Sequence, residues 1–299
     1  MDLRQLEIFS KVAELGSFSR AAEALHLTQP TISEHIRTLE DEVGARLLDR
    51  LGRGASVTRV GQVLLTYAHR LLALQKEARQ AVDSFQGKMT GELVVGGSTI
   101  PGEHVLPILV GRFKEKYPDI AVSLLIGGSQ IVVDWVADGR VELGVVGAQL
   151  ANRHVEYREL MPDEEVVVVS PGHAWNGRKH VTLAELLTEP LLIRERGSGT
   201  RSALEGALAG AGVGLSSFRL AGEMGSNQAI KLAVRAGVGV TVMSRRAVEE
   251  ECRQGTLWSL RVKELKITRA FHLCTHRERT RSPLAEAFRV FLEAEALSS

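Results

Sequence analysis

Six polar side chains, Gln29, Thr31, Ser33, Glu34, His35 and Arg37, interleave with a short apolar repeat, Ile32, Ile36 and Leu39. The apolar residues recur at i, i+4 and i+7, the period of a helix with one buried face, so the polar six face away from it. Amide, hydroxyl and guanidinium groups are donors and acceptors able to read base edges and grip phosphates. The same side chains also suit an ordinary helical hairpin with a solvated face, and the pattern alone leaves both readings open. A second chemistry is suggested further along by stretches that combine glycine with hydroxyls. These are Gly96-Gly97-Ser98-Thr99, Gly127-Gly128-Ser129, Gly147-Ala148, Arg196-Gly197-Ser198-Gly199-Thr200-Arg201 and Gly225-Ser226-Asn227. Glycine lets the backbone approach a ligand, hydroxyls donate to oxygen, and a helix N-terminus favours an anion. Taken singly, each stretch more often just caps a helix or a turn.

The elements that must position these residues follow from periodicity. Leu3, Leu6, Phe9, Val12 and Ala13 predict a first helix ending near Gly16. Ser17 starts a second helix whose small pair Ala21-Ala22, with Leu25, gives an apolar face for close packing. Thr28 is a good N-cap for the third helix, and Pro30 falls in its first turn, where a missing N–H costs nothing. Two short apolar runs flanking Gly52-Arg53-Gly54 read as a β-hairpin with Arg50 and Arg53 near its tip. From Gly61 to Phe85, Leu64, Ala68, Leu71, Gln75, Ala78, Val82 and Phe85 alternate in steps of four and three, the seam of a coiled coil. Either the chain's own body or a second copy could cover that seam, and pairing with a second copy is the favoured reading. After Gly87-Lys88-Met89-Thr90 the texture changes to alternating strands and helices, which implies mainly parallel sheets in two α/β lobes with a cleft between them.

Composition bounds the function. The chain has 299 residues, 44% hydrophobic and 24% charged, which suits a soluble protein of two or three domains. Its net charge is only +1, so attraction to nucleic acid must come from local clustering, and basic residues do outnumber acidic ones from Arg46 to Arg79. No apolar run approaches the roughly 20 residues a membrane span needs, and no apolar signal core opens the chain, so a cytoplasmic location is expected. Cys252 and Cys274 read as free thiols.

Several stretches together resemble the LysR-type transcriptional regulators. Ser17-Phe18-Ser19-Arg20-Ala21-Ala22, Leu27-Thr28-Gln29-Pro30-Thr31-Ile32-Ser33, Ile36-Arg37-Thr38-Leu39-Glu40 and Leu47-Leu48-Asp49-Arg50 are similar to that family's DNA-binding signature. The likeness continues through the long linker helix, Gly91-Glu92-Leu93, Asp138-Gly139-Arg140-Val141-Glu142-Leu143-Gly144 and a closing helix. It implies a winged helix-turn-helix (1–58), a dimerising linker helix (59–86) and a hinge (87–90). A two-lobed domain of the periplasmic-binding-protein type II kind would follow, with lobe I at 91–162 and 266–299 and lobe II at 163–265.

The implied function is a ligand-responsive, non-enzymatic DNA-binding regulator without a cofactor. Its implied partners are promoter DNA, RNA polymerase, a small effector and further copies of itself, as a dimer or a dimer of dimers. The DNA-binding set is then Ser17, Ser19, Arg20, Thr28, Gln29, Pro30, Thr31, Ser33, Glu34, Arg37, Arg50 and Arg53, with Gln29, Thr31 and Ser33 on bases. Glu34 departs from the family, many of whose members carry Arg or Lys there. Dimerisation falls to Leu64, Ala68, Leu71, Ala78, Val82 and Phe85. The glycine-hydroxyl stretches become a small-anion site of Ser98, Thr99, Ser198, Gly199 and Thr200, with Ser129 and Ala148 nearby.

The rival from another class is a winged helix-turn-helix fused to an enzyme of the biotin-ligase-repressor type. It would need an adenylate loop, and Gly52-Arg53-Gly54 is too short for one. His272 and His276 are too far apart along a strand to share a metal ion and are expected at the surface or between lobes. Asp163-Glu164-Glu165 and Glu249-Glu250-Glu251 are expected as solvated acidic faces.

Overall fold

The computed structural model describes residues 1–51, 54–85 and 89–297. Residues 1–88, with 138–140 and 281–283, form one compact unit, and residues 89–137, 141–280 and 284–299 form another.

In the first unit α1 (Leu3–Leu15) opens with a reciprocal cap, in which Asp2 accepts from the Gln5 N–H and Gln5 accepts from the Asp2 N–H, both at 2.8 Å. It stops at Gly16, whose left-handed backbone satisfies the last turn. α2 (Phe18–Ala24) is capped by Ser17 and α3 (Gln29–Val43) by Thr28, as the sequence predicts. Ala21 and Ala22 are buried, and their small size lets α3 bring Ile32, Ile36 and Leu39 onto Leu6, Ile8, Phe9 and Val12. β1 (Leu48–Leu51) and β2 (Gly54–Val57) pair antiparallel, with Leu48 opposite Val57, to make the wing. α4 (Arg59–Phe85) starts immediately afterwards. A Cβ on Gly61 would lie 2.1 Å from the Leu47 carbonyl oxygen, so only glycine lets α4 begin this close to the wing.

The expected seam of α4 is corrected in its first half. Ala68 is fully buried in this unit's own core and is not open to a second chain, while Leu64 packs against that core and stays partly exposed. The exposed apolar residues are Val60, Val63, Tyr67, Leu71, Leu74, Ala78 and Val82. At 3.6 residues per turn these seven share one face about 100° wide. The exposed stripe is therefore rotated away from Ala68 and meets the expected seam from Leu71 onward. The Phe85 side chain and residues 87 and 88 of the expected hinge lie outside the described residues.

In the second unit β3 (Gly91–Ser98), a single π-turn at Pro101–Val105, α5 (Leu106–Lys116), β4 (Ile120–Gly127), α6 (Ser129–Asp138) and β5 (Leu143–Val146) build a parallel β4-β3-β5 sheet. β6 (Val155–Val169) then runs for 15 residues out of this lobe into the next. There β7 (His180–Val181), α7 (Leu183–Thr188), β8 (Leu191–Arg194), α8 (Gly199–Gly210), β9 (Leu220–Met224), α9 (Asn227–Arg235), β10 (Val240–Ser244), α10 (Glu249–Arg253) and β11 (Trp258–Val262) follow. β12 (Thr268–His276) returns to the first lobe, and α11 (Pro283–Leu297) closes on it. The strand order is β4-β3-β5-β12-β6-β10-β8-β9, with β11 pairing both β6 and β7. β6 pairs with β12 as far as Glu164 and with β10 from Glu165 onward, so the crossing between lobes falls at that peptide. Each lobe keeps its own core, one around Phe113, Phe271 and Phe288, the other around Trp175, Leu191 and Leu208.

β6 is the longest of the strands described. The acidic run it contains behaves differently from expectation. Asp163 and Glu165 are buried, at 2% and 3% exposure, because β6 continues through them and alternate residues of a strand share one face. Only Glu164, on the opposite face, stays partly exposed. His276 is buried as well, stacked on His154 at 5.6 Å between ring centres.

Candidate DNA-binding and effector sites

In the N-terminal unit, two of the expected residues are occupied as helix caps. The Ser17 hydroxyl accepts from the Arg20 N–H at 3.4 Å, and the Thr28 hydroxyl accepts from the Thr31 N–H at 3.4 Å. The hydroxyls of Thr28 and Thr31 also hydrogen-bond to each other at 2.8 Å. The Arg20 guanidinium donates to the Leu15 carbonyl. Ser19, Gln29, Pro30, Glu34 and Arg37 are exposed, while Thr31 and Ser33 are half-buried. Arg37 is 3.8 Å from Asp41, one turn further along α3. Glu40 fastens the wing to α3 by accepting from the N–H groups of Leu47 at 2.8 Å and Leu48 at 3.1 Å. Pro30, Ser33, Glu34 and Arg37 thus line a groove beside the wing, joined by Arg46, which the sequence reading had not singled out. Arg53 and the side chain of Arg50 lie outside the described residues.

In the second unit, Ser98, Thr99, Ser129, Ser198, Gly199 and Thr200 come together around one small cleft, completed by Ile100, Arg194 and Arg269. Ser98 ends β3, Ser129 opens α6, and Ser198 to Thr200 lead into α8. The Ser198 hydroxyl makes no capping bond, which leaves it available to a ligand. Ala148 is not part of the lining. Its neighbour Gly147 donates its N–H to the Ser98 hydroxyl at 3.0 Å instead. A Cβ on Gly199 would sit 2.8 Å from the Gly147 carbonyl oxygen and 3.0 Å from Arg269 Nη1, so glycine is what allows this close approach. The cleft has room for no more than about one water molecule, so a larger guest requires its walls to part.

The charges behind the cleft are unevenly matched. Arg269 Nη1 donates to the Thr200 hydroxyl at 3.3 Å and Nε donates to Asp163 at 3.0 Å. Glu165 is 3.2 Å from the same guanidinium, yet neither of its carboxyl oxygens has an aligned hydrogen bond. Burial raises the Glu165 pKa to about 8, against the pull of Arg269 and with the push of Asp163. Arg194, 3% exposed, donates to Asn227 through Nη1 and to Glu195 through Nε and Nη2, at 2.7 and 2.8 Å.

Two family models match the chain. The "LysR substrate binding domain" covers residues 86–297, and "Bacterial regulatory helix-turn-helix protein, lysR family" covers residues 3–62. The chain belongs to the LysR family. It is a ligand-responsive, DNA-binding transcriptional regulator and not an enzyme, and the ligase-fusion reading has no support. The RuBisCO operon transcriptional regulator of Allochromatium vinosum is 33% identical over 99% of this chain and 97% of its own length. The full-length regulator CbnR, solved with its target DNA, superposes with a TM-score of 0.73 at 23% identity, over 98% of this chain and 99% of CbnR. The regulatory domain of CcmR from Synechocystis PCC6803, solved in complex with 2-PG, has a TM-score of 0.63 at 26% identity, over 69% of this chain and 98% of that domain.

For this LysR-family chain, Arg194 and Arg269 are the charged cleft residues that sequence reasoning missed. A signal existed for one of them, since Arg194 ends the otherwise apolar run Leu191-Leu192-Ile193 and a lone cation there invites a buried partner. Arg269 had none, because its role depends on strands more than a hundred residues apart. Arg196 and Arg201, which flank the Ser-Gly-Thr run, do not reach the cleft. Arg196 is exposed, and Arg201 pairs with Glu205 at 2.8 Å and Glu223 at 2.7 Å. No helix among the described residues is long and apolar enough to cross a membrane, and they contain no cluster able to hold a metal ion.

Proposed function

We propose that this regulator senses a small anion in the cleft between its lobes, held by Arg269, Arg194 and the hydroxyls of Ser98, Thr99, Ser129, Ser198 and Thr200. The observation that carries this reading is the convergence of two buried guanidinium groups with five hydroxyl side chains on one polar cleft. Charge-assisted hydrogen bonds to an anion are the strong ones, and here they are preorganised by strand ends and by Asp163. The related CcmR domain solved with 2-PG supports a small-molecule occupant. On DNA, Gln29, Thr31 and Ser33 read bases while Ser19, Arg37 and the wing contact phosphates. Two copies pair through the exposed stripe of α4 from Val60 to Val82, and pairs of dimers form the working tetramer in the cytoplasm. Effector binding changes how the dimers sit, and with that the DNA bend and the contact with RNA polymerase. It can do so only by its difference in affinity between the two arrangements. The deciding experiment is a thermal-shift screen of the full chain with sulfate, phosphate, 2-PG and small carboxylates, run on the parent and on Thr200→Ala. A ligand that raises the parent's melting temperature by mass action and fails to do so in Thr200→Ala supports the cleft. An equal shift in both removes it.

A further inference from the structure

The lobe-crossing strands also border a groove of about 680 Å³ lined by Arg245, Arg246, Arg261, Lys266, Ser259 and Thr268 among others. That volume falls within the range of metabolite pockets, and four of the lining side chains are cationic. Glu164 organises two of the cations, accepting from Arg245 Nε at 2.8 Å and from Arg261 Nη2 at 3.1 Å as well as Arg261 Nε. Hydrogen bonds from Arg261 and then Arg245 hold the Glu164 carboxyl at about 2, so it stays ionised and the two arginines stay fixed. Only three N–H groups of the two guanidiniums are used this way, out of ten. Arg246 is exposed, and its nearest carboxylate is Asp163 at 3.8 Å, too long for a hydrogen bond. Lys266 is exposed with no ion pair among the described residues. Against these four cations the groove sets Glu164, Glu249 and the buried Asp163, whose charge is already shared with Arg269.

We propose that this groove is a second ligand site, for a small metabolite bearing two or more negative charges on phosphoryl or carboxylate groups. Arg246 and Lys266 supply the uncommitted charge, and Arg245 and Arg261 form fixed walls with N–H groups to spare. Its position gives it a route to the effector cleft. Asp163 Oδ2 accepts from Arg269, which lines the cleft, while Oδ1 accepts from Ser244 at 2.7 Å and faces Arg246 in the groove. An anion that draws Arg246 away strengthens the hold of Asp163 on Arg269, so the two sites are coupled through one carboxylate, and the coupling is reciprocal.

Calorimetric titration of the full chain with inorganic pyrophosphate at low ionic strength tests the site. The double variant Arg246→Ala/Lys266→Ala, both positions being exposed, is expected to weaken pyrophosphate binding roughly tenfold or more. Thr200→Ala, in the cleft, and the charge-matched control Arg253→Ala/Lys263→Ala, outside the groove, are expected to retain it. Absence of binding to the parent overturns the proposal, as does unchanged binding in the double variant. Loss in Thr200→Ala alone assigns the pyrophosphate to the cleft, and equal loss in the control reduces it to general charge attraction, and either result overturns the groove as a site.

Discussion

Arg269 stands directly opposite Asp163 across β12 and β6, its Nε donating to Oδ2 at 3.0 Å, with both side chains removed from solvent. The same guanidinium lies 3.2 Å from Glu165, so a single cation serves two buried carboxyl groups at the point where the chain passes from one lobe to the other. Removing one partner of a buried pair leaves the other uncompensated. Arg269→Ala is therefore expected to cost about 3–5 kcal/mol of stability in the effector domain. Chemical denaturation checks this, and a cost below about 1 kcal/mol would mean that the pair is dispensable.

Glu165 makes stability depend on pH. Its unfolded-state carboxyl titrates near 4.5 and its folded-state carboxyl near 8, so between those values the folded chain holds the extra proton. Stability then falls as pH rises through this window, by at most about 1.4 kcal/mol per pH unit from this group. Glu165→Gln fixes the neutral form and is expected to flatten that part of the profile. Melting curves from pH 5 to 8 decide the matter, and parallel profiles for parent and variant would exclude Glu165 as the source.

Base reading by α3 is tested with Gln29→Ala/Ser33→Ala. Loss of a good base contact costs about 1–3 kcal/mol, so affinity for the chain's own promoter should drop roughly tenfold or more. Affinity for random duplex should hardly change, because phosphate contacts supply it. Fluorescence anisotropy with both duplexes at one salt concentration shows the difference.

The exposed stripe of α4 separates two roles along one helix. Tyr67→Glu/Leu74→Glu puts charges on the exposed face and is expected to dissociate the oligomer while leaving the N-terminal unit folded. Ala68→Glu instead buries a charge in the core beside Leu6 and Phe9 and should unfold that unit. Sedimentation analysis and circular dichroism distinguish the outcomes. A double variant that keeps the parent's mass in solution would rule out this stripe as the interface.

Gly61→Ala is expected to destabilise the winged unit by more than its helix propensity would suggest, since the added Cβ collides with the Leu47 carbonyl oxygen. An unchanged melting temperature for residues 1–88 would show that α4 can shift away without cost.

Much of this protein is written locally. The caps at Ser17 and Thr28, the αL stop at Gly16, the buried Ile32, Ile36 and Leu39 and the β-hairpin wing follow from neighbours three or four residues apart, and the sequence alone determines them. The same holds for the hydroxyl half of the cleft, because Ser98, Ser129 and Thr200 each stand where a strand meets a helix. Tertiary structure decided the rest. Ala68 and Tyr67 are adjacent on α4, and only the presence of the helix-turn-helix core buries one and exposes the other. Asp163 and Glu165 look like solvated charges until β12 arrives from 106 residues away and sets Arg269 beside them. A strand has no inside or outside until its partners pack against it, and the charge that completes this cleft is supplied by such a partner.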